Sequence, residues 1–419
     1  MTNLVRAVLL SALLAAVGAG SYHAGYTTGH SSAVPSPTPG PAPSASPTAT
    51  LQSQFGLFWE VWQIVDGEYY DRSALDYERL TYGAVRGMLE ALGDPHTSFA
   101  DPAIARVSEE DMQGSFDGVG IQVEMKEGRL TVVAPIDDTP GDRAGIRPGD
   151  VIVRVDDTDA AQLSLMEAVA RIRGPRGTKV RLTIAREGAA EPLVFEIARA
   201  EIRPVNVRTK LLEGSIGYVR LNSFTTNSGE ELKVALGSLL EQRPKALILD
   251  LRNNPGGLLQ AAVDVSSQFL KDGVVLYEQR RDGDAVPFNA KPGGIATDLP
   301  LVVLVNKGSA SASEIVAGAL QDRGRAILVG ERTFGKDSVQ NVHRLSNSAS
   351  VRVTFARWYT PKRQDIRQKG LTPDVAVSLA EEDIRARRDP QLDRAVEYLL
   401  ARQGDQILAP FVLCSCLLR

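Results

Sequence analysis

The chain has 419 residues, 43% hydrophobic and 23% charged, with 47 basic against 51 acidic side chains and a net charge of -4. That length allows two or three domains, and the composition is globular rather than fibrous or disordered throughout. With no strongly basic block, the electrostatic footprint of a nucleic-acid binder is missing, which excludes that class of partner.

Residues 1–30 read as a signal peptide or N-terminal anchor. One basic residue, Arg6, precedes an apolar run from about residue 7 to 19 that suits a secretory core and is short for a membrane span. Val17-Gly18-Ala19 offers small residues for cleavage without a clean A-x-A, so cleavage and anchoring both stand. Residues 31–50 are almost entirely Pro, Ser, Ala, Thr and Gly, a linker that cannot pack a core and that speaks against an ordinary buried helix before it. The expected location is periplasmic or otherwise extracytoplasmic, with membrane anchoring by the N-terminus as a variant.

Residues 51–103 form a helical segment. Phe58, Val61, Trp62 and Val65, then Leu80, Val85, Met88 and Leu89, recur at helical spacing, with Gly93 as a stop. Asp94-Pro95-His96 is a turn, because Pro95 biases Asp94 towards extended backbone. Residues 104–202 change to short strands at 120–123, 130–134, 151–155, 179–185 and 193–197 around one helix near 164–172, a compact, mostly β module. Residues 203–403 alternate apolar strands (216–221, 246–251, 301–305, 326–329) with helices (230–240, 259–270, 313–322), an α/β body. Residues 404–419 are an apolar tail carrying both cysteines, Cys414 and Cys416, too close in sequence for an unstrained disulfide.

Three segments of this body carry chemistry. Asn306-Lys307-Gly308-Ser309-Ala310-Ser311-Ala312-Ser313-Glu314 lies between a strand and a helix. Such a turn exposes a hydroxyl beside unpaired helix-start amides, which point at the negative charge that develops in acyl transfer. Serine is also a favoured N-cap, so this segment alone leaves capping open. Thr333-Phe334-Gly335-Lys336-Asp337 supplies a lysine that serves as a base only if burial or neighbours depress its pKa from about 10.4; a solvated surface lysine is the alternative. Gln340, four residues on, shares a face with Lys336 in extended backbone and is placed to orient the amine. In Asp250-Leu251-Arg252-Asn253-Asn254-Pro255-Gly256-Gly257, glycine lets backbone amides approach a ligand, which offers Gly257 as an oxyanion donor; a structural turn explains the same letters.

Taken together, SASASE at 309–314, TFGK at 333–336 with a glutamine four residues beyond, and DLRNNPGG at 250–257 resemble the carboxyl-terminal processing peptidases, or tail-specific proteases. The resemblance covers roughly residues 58–397. It implies a multidomain α/β (α+β) fold: a crotonase-like protease core, an inserted PDZ domain in the β module and an N-terminal helical segment. It also implies that the nucleophile falls on Ser311, the base on Lys336, the orienting glutamine on Gln340, and the oxyanion amides on Gly257 and Ala312. In the PDZ domain, Gly118, Val119, Gly120 and Ile121 would form the loop whose amides receive a substrate's terminal carboxylate while the peptide adds as a strand. The turn at 143–150 is similar to the central turn of these PDZ domains and reads as structural. Asp337 departs from the family's usual glycine; an adjacent carboxylate would stabilise protonated Lys336 unless the side chains diverge.

The expected activity is therefore that of a serine endopeptidase for exported proteins, reading C-termini through the PDZ domain and working through an acyl-enzyme. The partners are protein or peptide substrates, with a homo-oligomer open. The alternatives are an inactive PDZ adaptor on a protease scaffold and an acyl-transfer enzyme or lyase on the same core. No cofactor and no metal is expected, since His23 and His30 lie in the export region and linker, His96 follows a proline turn, His343 has no partner spacing, and two tail cysteines make no zinc cluster.

Overall fold

A computed structural model describes the chain over residues 49–414, and the side chains over 55–402. The expected signal or anchor, the linker up to residue 48, the two cysteine side chains and the end of the apolar tail lie outside the described residues. By internal contacts the chain divides into two compact units, Met1–Tyr77 and Glu78–Arg419.

The first unit contains helix α1 (Ala49–Glu68). Trp62 stacks on Tyr77 at 6.0 Å between ring centroids, and the Tyr77 hydroxyl donates to Asp66. The helical spacing is real, but Trp59, Val61 and Ile64 are each about half exposed.

Chain order then runs α2 (Tyr77–Glu90), β1 (Ser98–Ala100), α3 (Pro102–Gln113) and β2 (Phe116–Gly118). The β module that follows contains β3 (Ile121–Lys126), β4 (Arg129–Pro135), α4 (Pro140–Arg143), β5 (Val151–Val155), β6 (Thr158–Asp159), α5 (Leu165–Ile172), β7 (Lys179–Ala185) and β8 (Leu193–Ala198). Its sheet has the order β3-β4-β5-β7-β8 with β6 on β5, and its own core includes Leu130, Ile152, Val180, Leu182 and Ile184. Strand β9 (Ala200–Ile202) pairs antiparallel with β2, so the two chain crossings into and out of this module are zipped side by side. Helix α3 occupies the start of the stretch read as the mostly β module, ahead of its first expected strand at 120–123. Asp101 caps it by accepting from the Ile104 amide, Pro102 sits in its first turn and Gly114 closes it in the left-handed conformation.

The body continues with β10 (Val207–Leu212), β11 (Ile216–Leu221), α6 (Ser228–Glu241), β12 (Ala246–Asp250), α7 (Leu259–Ser267), β13 (Val274–Arg280), β14 (Val286–Asn289), β15 (Leu301–Val305), α8 (Ala312–Asp322), β16 (Ile327–Gly330), β17 (Ser338–Arg344), β18 (Ser350–Tyr359), β19 (Val375–Ala376), α9 (Glu381–Arg385) and α10 (Pro390–Cys414). One sheet has the order β10-β11-β12-β15-β16-β19, parallel from β11 onward. Leu247, Leu249 and Val303 pack with α6, α7 and α8, while Ile248, Val302 and Leu304 pack with Ala395 and Leu399 of α10. Helices cover both faces, which is why the central strands β12 and β15 are almost wholly apolar, Asp250 at the end of β12 excepted. A second sheet, β1-β18-β13-β14 with β17 on β18, carries the segment that follows Lys336.

Candidate active site

The turn between β15 and α8 explains its alternating serines. Ser309 and Ser313 are fully buried, and their hydroxyls donate to the carbonyls of Leu251 and Asn254, each at 2.8 Å. Ser311, between them, is half-buried and makes no side-chain cap bond to the helix it starts. Its backbone has φ 53° and ψ -113°. An L residue holds such a conformation at a cost of about 1–3 kcal/mol, and such strain clusters at functional sites. Capping is thus not what the Ser311 side chain does.

The 250–257 loop is stitched to this turn. Asn253 and Asn306 are linked twice: Asn306 Nδ2 donates to Asn253 Oδ1 at 2.8 Å, and Asn306 Oδ1 accepts from the Asn253 backbone N–H at 2.9 Å. The Asn254 carbonyl accepts from the Ala310 amide at 3.1 Å as well as from Ser313. Gly256 lies so close that a Cβ there would sit 2.9 Å from both Ser311 Cβ and the Ala312 nitrogen, so only glycine fits. Among the described residues the amides of Gly257 and Ala312 donate to no protein acceptor. At the loop's start, the buried Arg252 guanidinium binds Asp250 at 2.7 Å and Asp389, just ahead of α10, at 2.7 Å, while the Tyr218 hydroxyl donates to Asp250 at 2.6 Å.

The lysine loop joins through one carboxylate. Glu314 is fully buried and accepts four bonds: from Thr333 Oγ1 at 2.5 Å and the Gly335 amide at 2.7 Å on Oε1, and from the Ser311 and Lys336 amides, each at 2.9 Å, on Oε2. The Thr333 hydroxyl itself accepts from the Leu371 amide, which leaves its proton for Glu314. Every partner is a donor, so the carboxylate accepts at both oxygens; burial pushes Glu314 above the usual glutamate range, and these bonds offset that only in part.

Lys336 is half-buried. Burial first, then the Arg352 guanidinium, holds its ammonium below the ordinary lysine range, against the pull of Asp94 and Glu314. Its carbonyl accepts from Trp358 Nε1 at 3.0 Å. Asp337, the departure noted in the sequence, is turned to Arg357 at 3.7 Å and is not among the charges acting on Lys336. The Ser311 hydroxyl and the Lys336 ammonium are not hydrogen-bonded to each other here, nor is Gln340 bonded to the lysine; Gln340 Nε2 donates to Thr354 Oγ1 at 3.1 Å.

In the β module, Gly118, Val119, Gly120 and Ile121 lead into β3 beside α5. Val119, Ile121, Val123, Ile136, Val169 and Ile172 line a cavity of about 290 Å³. Gly120 has φ 75°, and a Cβ there would sit 2.4 Å from Thr139. The Val119 and Gly120 amides donate to no protein acceptor among the described residues, while their carbonyls accept from Gly141 and Ile136. The turn at 143–150 is structural: Asp150 is buried and accepts from the Arg147 amide at 2.8 Å and from Arg186 at 2.7 Å.

The sequence reading did not single out Glu314, Asp94, Thr354 or Arg352. Glu314 stands three residues after Ser311, the spacing of a residue that reaches back to an N-cap amide, and that signal would have found it. His96 feels the site, its pKa lowered by burial first and then by Lys336, whereas His343 is exposed.

This architecture defines a serine peptidase body joined to a peptide-binding module. Residues 215–377 match the model of peptidase family S41 and residues 118–196 that of the PDZ domain. The chain is 41% identical over 329 residues to a carboxy-terminal-processing protease of Bartonella bacilliformis, spanning 77% of this chain and 75% of that one. It is 40% identical over 347 residues to a carboxyl-terminal-processing protease of Synechocystis sp., spanning 81% of each. A solved photosystem II D1 C-terminal processing protease superimposes with a TM-score of 0.50 at 33% identity, covering 78% of this chain and 93% of that one. The chain belongs to the carboxy-terminal-processing proteases of peptidase family S41; it is a serine peptidase with a PDZ domain, which favours the protease over the adaptor reading.

Proposed function

We propose that Ser311 is the nucleophile and Lys336 the general base. Neutral Lys336 takes the Ser311 hydroxyl proton, Oγ attacks a peptide carbonyl, and the free amides of Gly257 and Ala312 receive the oxyanion. The proton passes from the lysine to the leaving amine, and water, activated by the same lysine, hydrolyses the acyl-enzyme. The Ser311–Lys336 hydrogen bond forms as substrate engages, since catalytic bonds are often long in unliganded enzymes. The observation that carries this reading is the pair of unpaired amides flanking a strained serine whose backbone is tied, through Glu314, to that of a half-buried lysine.

In the same proposal, the groove of the PDZ domain takes the C-terminal strand of a protein substrate, its carboxylate on the amides of the 118–121 loop and an apolar last side chain in the cavity. The substrates are exported proteins, in keeping with the apolar run and linker of the N-terminal sequence, and the enzyme works in the periplasm or another extracytoplasmic space, released or anchored. The exposed apolar residues of α1 support self-association through that helix. Trapping tests the chemistry: rapid quenching during ester-substrate turnover, followed by peptide mapping, places the acyl group on Ser311. An acyl group on another residue, or the same adduct in Ser311→Ala, contradicts it.

A further inference from the structure

The two amides offered to the oxyanion come from different segments, Gly257 from the loop after β12 and Ala312 from the turn after β15. Two donors serve one oxygen only if their spacing is fixed, because the effect of such a pair lies in its being set before charge develops. Three bonds join the serine turn to the loop in one sense, from donors of the turn to carbonyls of the loop: Ser309 Oγ to Leu251, and both the Ala310 amide and Ser313 Oγ to Asn254. Among the described residues Asn306 alone both gives and takes across the gap.

The direction of its side-chain amide is set by groups that cannot reverse. Asn306 Oδ1 accepts from the backbone N–H of Asn253 at 2.9 Å and from that of Gly308 at 3.0 Å, and a backbone N–H only donates. Nδ2 is therefore the end left for Asn253, and it donates to Asn253 Oδ1 at 2.8 Å. Asparagine supplies the acceptor and the donor at once; aspartate lacks the donor, and serine lacks the second arm. Asn253 holds φ 58°, a left-handed conformation that asparagine tolerates better than most residues. The approach is close enough to exclude a side chain at Gly308, where a Cβ would sit 2.8 Å from Asn253 Oδ1 and 2.9 Å from its Cα.

Both ends of this clasp are tied onward. The Asn306 amide donates to Ser309 Oγ at 3.0 Å and the Asn306 carbonyl accepts from the Ser309 amide at 2.9 Å, which joins the clasp to the turn that carries Ser311. On the other side, Asn254 follows directly, and its Oδ1 accepts from the Gly256 amide at 2.9 Å, one residue short of Gly257.

We propose that Asn306 and Asn253 are positioning residues of the peptidase: their reciprocal clasp fixes the spacing of the Gly257 and Ala312 amides, so that both meet the same oxyanion. The proposal rests on those two amides being the oxyanion donors.

The test is turnover of a peptidyl ester and of its thionoester counterpart, in which sulfur replaces the carbonyl oxygen, by full-length variants verified as folded by circular dichroism. Sulfur is larger and a weaker hydrogen-bond acceptor, so a well-set pair of amides favours the ester, and the ester-to-thionoester ratio of kcat reads the oxyanion site apart from the base. Asn306→Ala lowers kcat for the ester roughly 10²-fold, with KM within about twofold, and lowers the ratio roughly tenfold. Asn253→Gly keeps the left-handed backbone and removes the side-chain acceptor; it lowers both values less, and Asn253→Asp, which keeps the acceptor, restores most of that loss. Asn306→Ala combined with Asn253→Gly gives no further loss than Asn306→Ala alone. If Asn306→Ala does not fold, the two Asn253 variants decide the matter, since that residue is exposed. Parental kcat in a folded Asn306→Ala, an unchanged ratio, an Asn253→Asp no more active than Asn253→Gly, or losses that multiply in the double variant overturn the proposal. A ratio near one in the parent would instead overturn the oxyanion assignment, a separate failure.

Discussion

The backbone amides of Ser311 and Lys336 donate to the same oxygen, Oε2 of Glu314, each at 2.9 Å. One buried carboxylate therefore holds together the proposed nucleophile and the proposed base, whose segments follow the paired strands β15 and β16. Glu314→Gln turns an NH2 towards backbone N–H groups and loses bonds on one side. The expected cost is about 1–3 kcal/mol of stability for unsatisfied buried donors, read from the urea midpoint, and roughly 10²-fold in kcat for the displaced pair. Parental kcat in a folded Glu314→Gln would show that the staple is not needed.

A base held below its ordinary range gives an activity that rises with pH as the ammonium loses its proton, with a midpoint below that of a free lysine, about 10.4. Arg352→Gln removes a cation that disfavours the ammonium, so the midpoint moves to higher pH and activity near neutrality drops. The same physics gives a stability signature. A lysine with a folded pKa below its unfolded one destabilises the fold at pH below the folded value, and this penalty vanishes once pH passes the unfolded value. Lys336→Met should therefore stabilise the protein more at pH 6 than at pH 11, as denaturation midpoints at the two values will report.

Arg252 ties the start of the 250–257 loop, the proposed oxyanion loop, to the segment ahead of α10 through Asp250 and Asp389. Arg252→Met leaves Asp250, which is fully buried, with the Tyr218 hydroxyl but no cation. Breaking a buried pair from one side costs about 3–5 kcal/mol, and calorimetry should show a correspondingly lower Tm with loss of turnover.

Much of this was readable in advance, for identifiable reasons. The runs at 216–221, 246–250 and 301–305 are mostly apolar because helices cover both faces of their sheet, with Arg220 and Asp250 at strand ends, and they stand out against their surroundings. The second sheet was not read, since β17 and β18 are partly exposed and carry arginines such as Arg344, Arg352 and Arg357 that break any simple pattern. The candidate catalytic segments are local in sequence, so each could be recognised on its own letters. What joins them is not local: Glu314 reaches Lys336 across 22 positions, and Thr97 reaches Thr354 across 257. Asp337 shows the converse: it is adjacent to Lys336 in sequence, but its carboxylate lies 3.7 Å from Arg357 on β18.

The groove between β3 and α5 gives a separate prediction for recognition. Val169 lines it from the helix side, and Val169→Glu sets a carboxylate against the incoming chain end. KM for a substrate with a free apolar C-terminus should rise roughly tenfold, equivalent to about 1.4 kcal/mol, and less when that terminus is amidated. Equal effects on both substrates would mean that the groove does not read the carboxylate.

The most direct measurement is cleavage of an unstructured protein with an apolar C-terminus by the parent enzyme, Ser311→Ala and Lys336→Ala across a pH series. The serine-lysine account predicts parent turnover that rises with pH and none in either folded variant. Turnover surviving in a folded Lys336→Ala with the parental pH profile would contradict it.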